Sequence, residues 1–184
     1  LQLLSIVVVG IAVALMLISP ELVLIFGSPK YREAVYVIPP VAASVFFIFI
    51  YNILSMPQFY YEKTQFLMAA SMAAAGANVV LNFIFIRLFG YIAAGYTTLA
   101  CYMLYSVGHY IVSKRILVNE GIQENLMNPG FLLACSVFLI GASIICNLIF
   151  PYRILRYAIL LASAGLVFWK KELLLKTMAD IRKK

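Results

Sequence analysis

Long runs of apolar residues without a single charge are the feature that most limits how this chain can fold. Lys63 and Arg87 enclose 23 uncharged residues, and Arg87 and Lys114 enclose 26. A helix needs about 20 residues to cross roughly 30 Å of hydrocarbon, so each run is long enough for one membrane span. The runs are continuous rather than alternating, which favours membrane helices over the strands of a barrel.

Arg87 marks a turn between two spans rather than the middle of one. An unpaired arginine at the bilayer centre costs about 2.5 to 3.5 kcal/mol on insertion scales, and a position at the water interface avoids that cost. Gly90 is suited to cap the C-terminus of the first helix, and Phe89 and Tyr91 would place aromatic rings at headgroup depth.

The composition predicts an all-α integral membrane protein with about six transmembrane helices. The chain is 65% hydrophobic and 11% charged, against roughly 25% charged in ordinary soluble domains. We expect a single transmembrane helical domain over 1–184, which opens without a Met or a signal peptide, like a piece of a longer chain. The predicted spans, followed by a basic cytoplasmic tail at 170–184, are 1–19, 34–56, 66–88, 90–112, 131–150 and 152–169.

Prolines and caps predict where the first two spans begin and bend. Ser19, Pro20 and Glu21 have the order of a helix start, namely a cap, a first-turn proline and a first-turn acid. The residues that follow, Leu22 to Gly27, would form a short interfacial turn or a kinked continuation of the first helix. Pro39 and Pro40 fall inside the second predicted span and Pro57 lies near its end, and the loss of backbone donors at these prolines predicts a kink.

Six spans would place both ends of the chain on the same side of the membrane. With the ends in the cytoplasm, nine Lys and Arg lie inside and five outside, but without the tail the count is three against five. The longest polar connection, 113–130, is then cytoplasmic. The excess of Lys and Arg on the cytoplasmic side explains most of the net charge of +7. The sequence shows no soluble module with a basic face, so we do not predict nucleic-acid binding.

The residues that enzymes, metal sites and ATP-driven pumps require are missing from the pattern. The seven acidic residues are scattered through loops and interfaces, which argues against clustered carboxylates holding a metal on a diphosphate substrate. His109 is the only histidine, and no glycine-rich phosphate loop is present. We therefore predict no enzyme, no catalytic residue, no metal and no cofactor.

Polar side chains instead follow one face of each of three predicted helices, at helical spacing. Such stripes suit a path for a hydroxyl-rich solute such as a sugar chain. The third helix also carries the small-residue run "AASMAAAGA", which permits close helix contact. The candidates for a substrate path are Tyr51, Ser55, Gln58, Asn78, Asn82, Thr98, Tyr102, Tyr105 and His109.

Each candidate also has a structural interpretation. Ser, Thr and Asn in membrane helices often bond neighbouring helices at about 0.6 kcal/mol each, and tyrosines near helix ends anchor at the interface. For His109 we favour solvation near the cytoplasmic end over proton coupling. The candidates for contact with anionic headgroups, or for simple interfacial anchoring, are Lys30, Arg32, Lys63 and Arg87.

The stretches "SPELVLIFGSPKY", "YEKTQ" and "NVVLNFIFIRLFGYIAAGYTTL" carry a resemblance to a known family. They resemble the C-terminal half of the polysaccharide and O-antigen flippases (Wzx-type), members of the multidrug/oligosaccharidyl-lipid/polysaccharide superfamily. The resemblance covers roughly 19–116. Where that family commonly has Gly-Ala-Ala, this chain has Ala93, Ala94 and Gly95, which shifts the closest helix approach.

The resemblance implies the C-terminal portion of a MATE-like two-lobe transporter fold with two extra C-terminal helices. The implied function is translocation of undecaprenyl-diphosphate-linked oligosaccharide across the bacterial cytoplasmic (inner) membrane, for lipopolysaccharide and other surface polysaccharide. The implied partners are this lipid-linked oligosaccharide, membrane lipids, an N-terminal lobe of the same chain, a polysaccharide polymerase and glycosyltransferases. A drug or metabolite antiporter of MATE type, and a non-transporting membrane scaffold for glycan assembly, are the alternatives.

Overall fold

The computed structural model describes residues 1–123 and 126–169, and this part of the chain contains helices and no strand. The all-α prediction is confirmed. A 3-10 helix, Pro29–Tyr36, lies between the first two α-helices. The α-helices are α1 (Gln2–Phe26), α2 (Ile38–Tyr60), α3 (Gln65–Phe89), α4 (Ala93–Asn119), α5 (Pro129–Ile149) and α6 (Arg153–Trp169). The predicted basic tail, 170–184, lies outside the described residues, and so does the charge count that depends on it.

Four of these helices, α1, α2, α3 and α5, are long and apolar enough to cross a membrane by length and composition. The chain is therefore a membrane-embedded protein. The helix α4 is longer but less apolar, because it carries polar side chains along the faces that pack against α2 and α3. Polar residues in membrane helices normally face the interior of a bundle in this way.

The chain divides into two compact units, 1–147 and 148–184. In the first unit, α2 packs against α1 and α4, and α3 packs against α4. The helices α2 and α4 run parallel, because the antiparallel helix α3 connects them. In the second unit the described secondary structure is α6 with the end of α5.

The helices α2 and α4 approach closely at their N-termini, where Gly95 has no side chain. A Cβ atom at Gly95 would lie 2.8 Å from Cγ of Pro40 and 2.9 Å from the carbonyl oxygen of Val37. Further along, Phe46 and Leu54 of α2 and Leu99 of α4 are buried in the core. This packing fixes the α2–α4 pair on which the site is built.

The predicted helix start at Ser19 is wrong, whereas the alternative of a continued first helix is confirmed, since α1 runs through Pro20 to Phe26. A proline inside a helix leaves the carbonyl four residues earlier without its donor, here the carbonyl of Met16. The buried Ser19 hydroxyl donates to that carbonyl at 2.7 Å. Serine hydroxyls commonly replace freed backbone bonds in this manner where no water is present.

The predicted kink at Pro39 and Pro40 is also wrong. The helix α2 begins at Ile38 and not at residue 34, the predicted start of the span, so both prolines lie in its first turn. Residues of the first turn have no intrahelical acceptor for their N–H groups, so proline removes nothing there.

The fourth helix ends later than predicted, and the connection after it is shorter than 113–130. Residues 113–119 are helical, and Ile116 and Leu117 in this extension are buried. Burial of these two apolar side chains stabilises the last helical turns of α4. The charged side chains beside them, Lys114 and Arg115, remain exposed.

The predicted turn after Arg87 is confirmed. Gly90 ends α3 with a φ of 76° and donates its N–H to the Ile86 carbonyl at 2.9 Å. Only glycine adopts this backbone conformation without strain. Arg87 lies in the last turn of α3, where its guanidinium carbon is 3.9 Å from the centre of the Phe83 ring.

Candidate functional site

A cavity of about 490 Å³ lies between α2, α3 and α4. Its volume falls within the range of about 300–1,000 Å³ that is usual for small-molecule sites. None of the residues that line it is charged. The polar side chains in its wall are Tyr51, Ser71, Asn78, Thr98, Tyr102 and Tyr105.

Three tyrosines form an aromatic wall on the α2–α4 side of the cavity. The rings of Tyr51 and Tyr102 are parallel within 5°, with their centroids 6.3 Å apart. The ring of Tyr105 meets Tyr51 edge to face at 4.7 Å. Such contacts favour defined ring orientations, so the wall presents fixed aromatic faces and hydroxyl groups.

The α3 side of the cavity consists of small residues. Ala74 and Ala75 line it, together with Ser71 and Asn78. The same small-residue run was expected to allow close helix contact, yet a Cβ atom at Gly76 would meet nothing within 4 Å. Among the described residues, the short side chains of α3 face the three tyrosines of α2 and α4 across the cavity. At this level they leave open volume and do not form a tight helix interface.

A chain of hydrogen bonds joins α3 to α4 beside the cavity. The Asn82 amide donates to Oδ1 of Asn78 at 2.8 Å. Oδ1 of Asn82 in turn accepts a bond from the Thr97 hydroxyl at 2.5 Å. Asn82 therefore orients the Asn78 side chain that lines the cavity, while Thr98 bonds only within its own helix, to the Ala94 carbonyl at 2.8 Å.

A second polar group lies where the tyrosine wall ends, between α2 and α4. Gln58 and His109 are both 0% exposed, and Nε2 of Gln58 is 2.8 Å from Nδ1 of His109. The predicted solvation of His109 near a helix end is wrong, because α4 continues to Asn119 and the ring is enclosed. Ser55, another path candidate, is buried and donates to the Asn52 carbonyl of its own helix at 2.8 Å.

The candidate cations lie at the two ends of the bundle and not in the cavity. Lys30 and Arg32 are exposed in the 3-10 helix, and Arg87 is exposed at the end of α3. Lys63 forms an ion pair with Glu120 at 3.1 Å, and the two side chains are 47% and 38% exposed. Contact of these residues with anionic headgroups stays a prediction.

A hydrogen bond links the α3–α4 turn to the 3-10 helix. The Tyr91 hydroxyl donates to Oε2 of Glu33 at 3.1 Å. Desolvation, followed by the hydrogen bond and the charge of Glu33, raises the pKa of Tyr91 above its ordinary value. The hydroxyl therefore stays protonated and able to donate throughout the physiological range.

Sequence reasoning missed three polar partners that connect helices. Thr97 and Ser113 bond across to Asn82 and Gln58 respectively, and Asn147 of α5 donates to the Tyr96 hydroxyl at 2.8 Å. An asparagine within an apolar span was the available signal for Asn147, because an unpaired amide in hydrocarbon is costly.

No protein-family model, curated protein or solved structure matches this chain. Its fold and site are therefore interpreted from its own residues.

Proposed function

We propose that this chain is part of a flippase that moves undecaprenyl-diphosphate-linked oligosaccharide across the bacterial cytoplasmic membrane for surface polysaccharide and O-antigen synthesis. The observation that supports the proposal is the uncharged cavity walled by Tyr51, Tyr102 and Tyr105 within a bundle of membrane helices.

The chemistry of the wall suits a sugar better than an ion or a cationic drug. Phenol and hydroxyl groups both donate and accept hydrogen bonds, and the Asn78 amide adds donors and an acceptor. Sugar rings expose C–H faces that pack on aromatic faces, whose quadrupole is negative at the centre. A cavity without carboxylates offers no counter-ion to hold a cationic solute.

The remaining parts of the proposed substrate have partners elsewhere. A polyprenyl chain stays in the surrounding bilayer while the sugar passes the tyrosine wall. A diphosphate suits cations near the membrane surface, and Lys30 and Arg32 at one end are exposed for charge-assisted bonds. At the other end a diphosphate would compete with Glu120 for Lys63. In this account two lobes rock about the site, so that the cavity opens alternately to each face.

The experiment that tests the proposal is deletion of the gene in its host, with lipid-linked oligosaccharide measured on each face of the cytoplasmic membrane. We expect build-up on the cytoplasmic face with loss of surface polysaccharide, both reversed by the intact gene. Unchanged lipid intermediates with altered drug or metabolite sensitivity would replace the proposal with an antiporter. Loss of surface polysaccharide with a normal leaflet distribution would replace it with a scaffold.

A further inference from the structure

A closed polar group between α2 and α4 has hydrogen-bonding capacity that the cavity does not explain. It consists of Gln58, His109 and Ser113, which are at most 1% exposed. Nε2 of Gln58 is 2.8 Å from Nδ1 of His109 and 3.3 Å from Oγ of Ser113. The Ser113 hydroxyl donates to the backbone carbonyl of Leu54.

Two buried atoms in this group have no hydrogen-bond partner among the described residues: Nε2 of His109 and Oε1 of Gln58. Buried polar atoms are normally paired, because a bond lost to water and not replaced is costly. The unpaired atoms belong to two groups in direct contact, and one of those groups can change its charge.

The pair can satisfy Nδ1 of His109 in both protonation states. With the amide oriented as in the structure, Gln58 donates to Nδ1, which requires a neutral ring protonated on Nε2. When Nδ1 also carries a proton, a half-turn of the Gln58 amide presents the unpaired Oε1 as its acceptor. The half-turn also ends the bonds from Nε2 to Oγ of Ser113 and to the Leu54 carbonyl at 3.4 Å, so proton binding exchanges these bonds for the one to Nδ1.

Aromatic rings from three helices enclose His109, and the ring has no fixed counter-ion among the described residues. Ring centroids of Tyr105, Phe66 and Tyr51, from α4, α3 and α2, lie 4.5, 5.5 and 5.8 Å from the His109 ring. Tyr51 and Tyr105 are the titratable groups that face the ring, and no carboxylate, lysine or arginine among the described residues bonds to it.

We propose that His109 is a proton-binding site linked to the tyrosine cavity. Tyr51 and Tyr105 touch the His109 ring and also line the cavity. A charge on the His109 ring therefore changes the preferred orientation of these two tyrosine rings. A hydronium ion gives its proton to Nδ1 of the ring and is left as water, and the proton leaves by the reverse transfer to water. As a coupling device this inference rests on the proposed function, because linkage makes proton and sugar binding affect each other equally.

The test is NMR of the protein as its gene encodes it, in lipid nanodiscs, with isotope-labelled histidine and tyrosine. The His109 signal is the one lost in His109→Gln. If that variant does not fold, proximity to Tyr105 assigns the signal. We expect the His109 signal to titrate within the pH range in which the protein stays folded, with Tyr51 and Tyr105 signals moving at the same midpoint. A His109 signal that stays constant throughout that range, or tyrosine signals that do not follow its titration, would overturn the inference.

The role of Gln58 has its own matched control. Gln58→Leu removes the adaptable amide and should move the His109 midpoint, whereas Asn52→Leu removes an exposed amide of α2 that bonds only the Ile48 carbonyl, at 2.8 Å, and should leave it in place. An equal effect of both substitutions would contradict the pairing. The NMR signals of His109 and the tyrosines can be measured without transport. A failed flippase assay together with an intact His109 titration would therefore reject the proposed flippase function and retain His109 as a proton-binding site.

Discussion

The rings of Tyr51 and Tyr102 lie parallel within 5° on two different helices, with 6.3 Å between their centroids. The pair exists because α2 and α4 run side by side in the same direction from their tight contact at Gly95. A wall of this kind depends on both helices keeping their register.

Loss of a wall tyrosine should reduce transport without reducing the amount of protein. We expect Tyr102→Leu to lower transport by about two- to tenfold, the equivalent of about 0.5 to 1.5 kcal/mol for one aromatic contact. The matched control is Tyr110→Leu on the same helix, since Tyr110 lines a separate apolar cavity of about 240 Å³ against α5. Flux per folded protein, measured in membrane vesicles, distinguishes the two. A parallel fall in flux and protein level for Tyr102→Leu would make Tyr102 a packing residue.

The α3–α4 hydrogen bond through Asn82 should stabilise the bundle modestly. Removal of the hydroxyl in Thr97→Val should lower the free energy of unfolding by about 0.6 kcal/mol and at most about 1.7 kcal/mol, the range found for bonds between membrane helices. Thr98→Val is the control, because its bond stays within α4. Denaturant unfolding in detergent, with Asn82→Leu completing a double-mutant cycle, gives the coupling energy. A coupling of zero would mean that the bond of 2.5 Å contributes nothing to stability.

Addition of one methyl group at Gly95 should disturb the α2–α4 contact. The new Cβ atom would lie 2.9 Å from the Val37 carbonyl, a backbone atom that cannot simply rotate away. We expect Gly95→Ala to cost about 1 to 3 kcal/mol, as overpacking commonly does. Gly76→Ala enters open space and should stabilise α3 by up to about 1 kcal/mol through helix propensity. Thermal unfolding of the two variants should therefore shift in opposite directions, and equal shifts would contradict the packing described.

The bond between Tyr91 and Glu33 predicts a dependence of stability on high pH. Because the pKa of Tyr91 is raised in the folded state, its contribution is fully present below the unfolded value of about 10 and is lost as the pH rises through the folded value. The melting temperatures of wild type and Tyr91→Phe should differ at neutral pH and converge as the pH rises beyond about 10 and through the folded pKa of Tyr91. Tyr60→Phe, at an exposed tyrosine, is the control. A difference that persists unchanged above that pH would contradict the assignment.

Sequence reasoning identified the helices well and their ends poorly. Uncharged runs and Gly90 predict the α3 end because charge and glycine conformation act locally. The continuation of α1 through Pro20 depends on the Ser19 hydroxyl taking the place of a backbone donor, and the extension of α4 depends on burial of Ile116 and Leu117. Neither effect is visible in spacing alone, because both depend on the surroundings.

The candidate site was predicted in part. Helical spacing brought Tyr102 and Tyr105 to one face, and the structure places them on the same cavity as Asn78 and Tyr51. Spacing could not show that Gln58 and His109 face each other instead, since that depends on the parallel register of α2 and α4.

The most direct test of the central claim is the movement of lipid-linked oligosaccharide in vesicles that contain the purified protein as its gene encodes it. The substrate is placed in one leaflet, and its arrival in the other is measured with wild-type protein, Tyr102→Leu and Tyr110→Leu. The account predicts transfer by wild type and Tyr110→Leu and slower transfer by Tyr102→Leu. Transfer no faster than in protein-free vesicles, or equal transfer by all three proteins, would contradict it.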